Sequence, residues 1–169
     1  MQILTQRLKL SLLDDQDSAF ILALLNDPDW LKYIGDKGVR NLDDARDYIH
    51  NGPLATYQRH GYCMLKVCAR ESGLPLGLCG LLKRDNLEHP DVGYAFLPQA
   101  RGTGYAKEAV KAVVAYAQQQ GHSTLMAFCL STNQASIKVL ESAGFRLVGP
   151  YEHEGATEPL VLYQRIAER

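Results

Sequence analysis

One stretch constrains the fold more than any other: Tyr94-Ala95-Phe96-Leu97-Pro98-Gln99-Ala100-Arg101-Gly102-Thr103-Gly104-Tyr105-Ala106-Lys107-Glu108. It reads as a strand, a glycine loop and a helix start in immediate succession. The run Val92 to Leu97 is apolar and aromatic, which suits a buried strand, and Pro98 ends its ladder by removing a backbone donor. After Ala106 the apolar positions Val110, Val113 and Ala117 recur at helical spacing and predict a helix to about Gln120, with Gly121 as its stop. A helix opening directly behind Gly102 and Gly104 points unpaired N–H groups into the loop, and its dipole adds positive charge there. Glycine permits positive φ and close approach, so a pyrophosphate fits against the backbone with Arg101 nearby as a mobile counter-charge. A turn that needs glycine only for its geometry accounts for the same residues.

The loop resembles the signature of the GNAT superfamily of N-acetyltransferases, [Gln/Arg]-x-x-Gly-x-[Gly/Ala], in two frames: Arg101-x-x-Gly104-x-Ala106 and Gln99-x-x-Gly102-x-Gly104. The first frame is the better fit, because Glu108-Ala109 follow as the Glu-Ala of that superfamily. A second matching segment is Asn133-x-x-Ser136-x-x-Val139-x-x-x-Ala143-Gly144-Phe145. The amino end, Thr5-x-Arg7-Leu8-x-Leu10, resembles the opening of the branch related to ribosomal-protein alanine N-acetyltransferases.

The resemblance implies acetyl-CoA as co-substrate and no metal. Phe96, Leu97, Arg101, Gly102, Thr103, Gly104, Tyr105, Ala106 and Asn133 are its expected contacts, with a main-chain N–H near Phe96 or Leu97 donating to the thioester carbonyl. A primary amine, on a protein N-terminus or a small molecule, attacks directly in a ternary complex. Many members carry a tyrosine acid in the arrangement Asn-x-x-Ala-x-x-Leu-Tyr; counted from Asn133, that site is Leu140. In the ribosomal-protein branch a serine takes the role, and Ser136 matches it, although a first-turn serine also bonds its own backbone. Asp91 is a candidate base, with water-relayed deprotonation and no dominant base as the alternative, and Tyr94 is a hydrogen-bonding residue beside the thioester, against the plainer role of a buried strand tyrosine. Glu88, Glu152, Glu154 and Glu158 lie in loops that rim the cleft in this reading. Trp30 and Tyr33 are expected acceptor contacts, and both rings also suit packing under the first helices. A non-catalytic acyl-CoA-binding module is the alternative. A dinucleotide site is disfavoured, since Gly102-x-Gly104 is followed by Lys107 where a third glycine or alanine belongs.

A length of 169 residues predicts one domain. Net charge −1 gives no broad pull toward nucleic acid, and no apolar run is long enough to span a membrane. Arg7 and Lys9 interrupt the amino-terminal apolar residues, so the expected location is the cytoplasm. The superfamily frequently forms homodimers. Cys63, Cys68, Cys79 and Cys129 lack the spacing of a zinc site.

The remaining elements follow from pattern. Arg7 to Leu13 alternates as a first strand; Asp14, Asp15 and Asp17 open a helix over Ala19 to Leu25; Asp29 to Gly35 is a short helical turn. Asn41 caps a helix that ends near Asn51-Gly52-Pro53, with a separate short helix to His60. Strands are expected at Tyr62 to Ala69, Pro75 to Leu82, Thr124 to Leu130, Phe145 to Tyr151 and Pro159 to Ile166, with a helix from Asn133 or Ser131 to Gly144. The resulting class is α/β in the mixed α+β sense: the GNAT acyl-CoA N-acyltransferase fold, a mostly antiparallel sheet of about seven strands flanked by helices.

Overall fold

A computed structural model describes residues 1–153 and 155–167. Its eight strands form one sheet in the order β1-β2-β3-β4-β5-β6-β8-β7. They are β1 (Gln2–Leu4), β2 (Leu8–Ser11), β3 (Met64–Ala69), β4 (Pro75–Leu82), β5 (Asp91–Phe96), β6 (Thr124–Leu130), β7 (Arg146–Tyr151) and β8 (Leu160–Ile166). Every neighbouring pair is antiparallel except β5–β6. The strand beyond the expected seven is β1, paired to β2 from Gln2↔Ser11 to Leu4↔Lys9. Three residues at a sheet edge are too few to show alternation.

Helices α1 (Ser18–Leu25), α2 (Pro28–Tyr33), α3 (Leu42–Ile49) and α4 (Ala55–His60) lie between β2 and β3, while α5 (Tyr105–Gln119) joins β5 to β6 and α6 (Gln134–Ser142) joins β6 to β7. Their starts follow the local chemistry. Asp14 accepts from the N–H of Gln16 while Asp17 accepts from that of Asp14, and Asn41 accepts from Asp44 N–H at 2.8 Å. Each such cap is worth about 1 kcal/mol. The expected break at Asn51-Gly52-Pro53 does not occur. The chain passes from α3 through a π-helical turn, His50–Leu54, directly into α4. The wider turn relieves the clash between the Pro53 ring and the preceding carbonyls that would break an α-helix.

Strand alternation divides the core between the two sheet faces. Leu8, Leu10, Val92, Phe96, Leu125 and Ala127 pack with α5 and with Leu140 of α6. On the other face Leu13, Leu78 and Met64 pack with Ile21, Leu24, Trp30, Ala45 and Ile49 of α1 to α3, joined by Ala95 and Leu97. Burial of each large aliphatic side chain stabilises the fold by about 1.5–3 kcal/mol. The register of β5 on β4 runs without interruption from Leu82↔Asp91 to Gly77↔Phe96, so β5 carries no bulge against β4. Tyr94 therefore faces α5 and α6, and Asp91 shares the opposite face with Ala95.

Candidate active site

The parallel pair at the centre of the sheet separates almost at once. β5 and β6 share a single register, Asp91↔Met126, with Met126 N–H donating to Pro90 O at 2.9 Å. Beyond it the two strands diverge. Leu97 N–H donates to Leu76 O on β4 at 2.9 Å, so by strand parity Tyr94 and Phe96 turn their main-chain groups toward the opening instead. Of the two expected oxyanion donors, Leu97 is thus committed to the ladder and Phe96 N–H faces the gap.

The glycine loop closes one end of this opening. Gly102 and Gly104 have φ of +78° and +84°, a region that side-chain-bearing residues rarely adopt. Gly104 is the N-cap of α5 and offers no side chain to it, and the first intrahelical bond runs from Glu108 N–H to Gly104 O at 3.1 Å. The N–H groups of Tyr105, Ala106 and Lys107 consequently have no partner within the helix, and Gly102, Thr103 and Gly104 are exposed. Donors so arranged can receive an anion.

Arg101 is not seen as a free counter-charge: its guanidinium is engaged by protein acceptors. It donates to Phe96 O from Nε (3.0 Å) and Nη2 (2.8 Å), to buried Asp27 from Nη2 (2.7 Å) and to Asp29 from Nη1 (2.5 Å). The side chain ties the end of β5 to the start of α2 and holds its charge against two carboxylates. Nothing in the local pattern announces these partners, which lie 72 and 74 residues away.

Two of the three expected catalytic residues meet. Tyr94 Oη and Ser136 Oγ are 2.8 Å apart, joining β5 to the first turn of α6 across the opening. Burial pushes the Tyr94 phenol up to about 12, with the Ser136 bond acting the other way, so it stays protonated through neutral pH. Asn133 caps α6 by accepting from Ser136 N–H at 3.2 Å, which aims the serine, and Ser131 is not the cap. Leu140, where a tyrosine acid would stand, is buried in the core.

Asp91 lies apart from this pair, on the other sheet face and at the beginning of β5. It is 2% exposed and bonded to Arg84 Nε at 3.1 and 3.2 Å. Burial raises its proton affinity above that of an ordinary aspartate, and Arg84 partly offsets the rise. Arg84 in turn covers the ring of Phe128, which contacts Tyr151 and His153. Arg84 and this aromatic group were not legible as site residues, because the contacts join separate loops and strands. Beside them is an open cleft of about 470 Å³ lined by Tyr151, Glu152, His153, Ala156, Glu158, Pro159 and Leu160. Glu88 is exposed near His89, and Glu154 lies outside the described residues.

Trp30 is buried among α1 to α3, and its indole N–H has no partner among the described residues. Tyr33, three residues on, is half exposed with Lys32 over its ring. Among the described residues no group of three His, Cys, Asp or Glu side chains gathers as a metal site, and the four cysteines are free thiols. Among them, no helix is long and apolar enough to cross a membrane.

Comparison with known proteins places these features. The acetyltransferase (GNAT) domain profile matches residues 7–146. The uncharacterised protein YkkB of Bacillus subtilis is 27% identical over 168 residues, covering 97% of this chain and 95% of its own. Among solved structures, an acetyltransferase (GNAT family) from Bacillus anthracis superposes with a TM-score of 0.82 at 23% identity, covering 98% of each chain. RimL, a ribosomal L7/L12 alpha-N-protein acetyltransferase solved with coenzyme A, superposes at 0.85 and 20% identity, covering 99% of this chain and 98% of its own.

Proposed function

The chain belongs to the GNAT acetyltransferase family, and from that premise we propose that it moves an acetyl group from acetyl-CoA to a primary amine, on a protein N-terminus or a small molecule, by direct attack in a ternary complex. The observation that carries this reading is the opening between β5 and β6, with the glycine loop at one end and the Tyr94–Ser136 pair across it. Bound there, acetyl-CoA supplies an activated acyl carbon and a thiolate leaving group. The unpartnered N–H groups at the start of α5 fit its pyrophosphate, and Phe96 N–H fits the oxygen on which negative charge develops.

The residues then divide the proton traffic. The acceptor nitrogen gains the acyl carbon and loses a proton, while the sulfur leaves that carbon and gains one. A phenol raised to about 12 is a poor net source of a proton for a thiol whose reference value is about 8.5. Tyr94 and Ser136 therefore hydrogen-bond the departing sulfur and relay to it a proton from solvent, separate from the first proton, which the amine loses. Asp91, on the face of α1 to α3, is the proposed acceptor of that first proton, since burial raises its affinity while Arg84 keeps it in place. Tyr33 on α2 is the proposed acceptor contact, while Trp30, expected beside it, packs in the core beneath α1 to α3.

The test starts with thermal unfolding in saturating acetyl-CoA, CoA, NADH or ATP. A ligand at 100 times its Kd that binds only the folded state adds about 2.7 kcal/mol. Stabilisation by acetyl-CoA and CoA alone is expected; a response to NADH or ATP without one to CoA would overturn the reading. Thiol release is then followed across peptides with varied N-termini, polyamines and amino acids. Donor binding with no turnover on any amine would favour a non-catalytic acyl-CoA-binding protein.

A further inference from the structure

Behind the glycine loop, on the side of β2, lies a polar cluster that the catalytic reading does not use. Glu108, in the first turn of α5, is the centre of it. Its Oε2 accepts from Thr5 Oγ1 (2.5 Å) and Arg7 N–H (2.9 Å), and its Oε1 accepts from Arg7 Nε (2.7 Å). Burial pushes the Glu108 carboxyl up, but the bonds from Thr5 and Arg7 together outweigh it and hold it below the ordinary glutamate value. Arg7 also donates from Nη1 to Thr103 O at 2.9 Å, and its guanidinium lies 4.6 Å from the centre of the Tyr105 ring. A Cβ on Gly104 would come within 3.4 Å of Arg7 Nη2. The segment bearing Thr5 and Arg7 is itself fixed: Thr5 Oγ1 accepts from Leu8 N–H, and Arg70 donates to Thr5 O from its side chain and to Arg7 O from its main chain.

Two consequences follow from elementary geometry and charge. In a trans peptide the C=O and the following N–H point in opposite directions. With Thr103 O held on the Arg7 side, Gly104 N–H is turned away from Arg7. Glu108, moreover, places a negative charge one turn from the end of α5 where an anion would sit, and Arg7 both neutralises it and draws the carboxylate off that side.

The geometry points to Arg7 as a positioning residue for the anion cradle: braced by Glu108 and Thr5, it sets the Thr103–Gly104 peptide so that the loop faces a phosphate before one arrives. Arg7 acts through the loop and not by touching the ligand. The gain is preorganisation, which lowers the ordering cost of binding. This inference rests on the reading of the loop as the pyrophosphate site of acetyl-CoA.

The experiment compares wild type, Arg7→Met, Arg7→Lys and Arg70→Ala. Arg70→Ala removes a bond to Thr5 O and loosens the same amino-terminal segment without touching the loop or Glu108. Calorimetry gives the Kd for CoA, and steady-state assays on the amine returned by the screen give KM for acetyl-CoA and kcat. Both Arg7 variants should weaken CoA binding at least about tenfold, equivalent to ~1.4 kcal/mol, and raise KM by the same factor with kcat unchanged. Lysine should not rescue, because an ammonium cannot reproduce the fork that reaches Thr103 O and Glu108 together. Arg70→Ala should bind CoA as wild type does. CoA affinity in Arg7→Met equal to wild type, or lowered no more than in Arg70→Ala, overturns the inference; if Arg7→Met does not fold, Arg7→Lys is judged by the same criterion. Wild type that binds no CoA would instead remove the proposed function itself, and the inference with it.

Discussion

Replacing Tyr94 by Phe isolates the hydroxyl pair from the packing around it. The ring remains against Phe96, 6.3 Å away between centroids, so the change deletes one neutral hydrogen bond of 2.8 Å to Ser136. Such a bond contributes about 1 kcal/mol to stability. In a chain of this size that lowers Tm by roughly 2–4 °C. The effect on turnover should be far larger. A positioned group that takes part in proton transfer contributes about 10²–10⁴-fold, so kcat should fall at least a hundredfold, or about 2.7 kcal/mol at 1.36 kcal/mol per decade. Ser136→Ala removes the other half of the pair and should reduce kcat comparably, and the double variant should be little worse than either single one, as expected when two residues act as a unit. The assay is thiol release at saturating acetyl-CoA beside calorimetric melting of the same preparations. Since burial raises the Tyr94 phenol to about 12, no alkaline loss of activity assignable to it should appear below about pH 11. A drop in Tm with kcat preserved in both single variants would refute the chemical role and leave a structural hydrogen bond.

Two further outcomes test the surroundings. Arg84→Met leaves the Asp91 carboxylate buried without its partner, which should cost about 3–5 kcal/mol near neutral pH. Because burial raises the Asp91 value above its unfolded one, the stability it contributes is complete below the unfolded value of about 3.9 and is lost as pH rises through the folded value. Arg84→Met should steepen that loss in melting curves from pH 4 to 8, and adding Asp91→Asn should flatten it; a curve parallel to wild type would contradict the pairing. Arg101→Met should lower stability by about 2 kcal/mol, from its bonds to buried Asp27 and Phe96 O, while changing CoA affinity little. A loss confined to CoA affinity would mean that the guanidinium leaves its carboxylates to meet the ligand.

What the sequence by itself determined is local. The capping residues Asp14, Asn41 and Asn133, the run that became β5, the two glycines at positive φ and the amphipathic face of α5 are each decided by groups within about one helical turn of one another. The strand alternation of Leu8 and Leu10 likewise shows which side chains go inside. Pro53 shows the limit of such reading, because a π turn accommodates a residue that local propensity treats as a stop. The tertiary structure decided the rest. Asp91 and Tyr94, three positions apart, fall on opposite faces only because β5 keeps its register on β4. Tyr94 finds Ser136 across 42 residues, Arg101 finds Asp27 across 74, and Arg7 finds Glu108 across 101. Those partners are chosen by how strands are ordered and where β5 and β6 part, and hydrogen bonding and charge act over a few ångströms of space regardless of the length of chain between the groups.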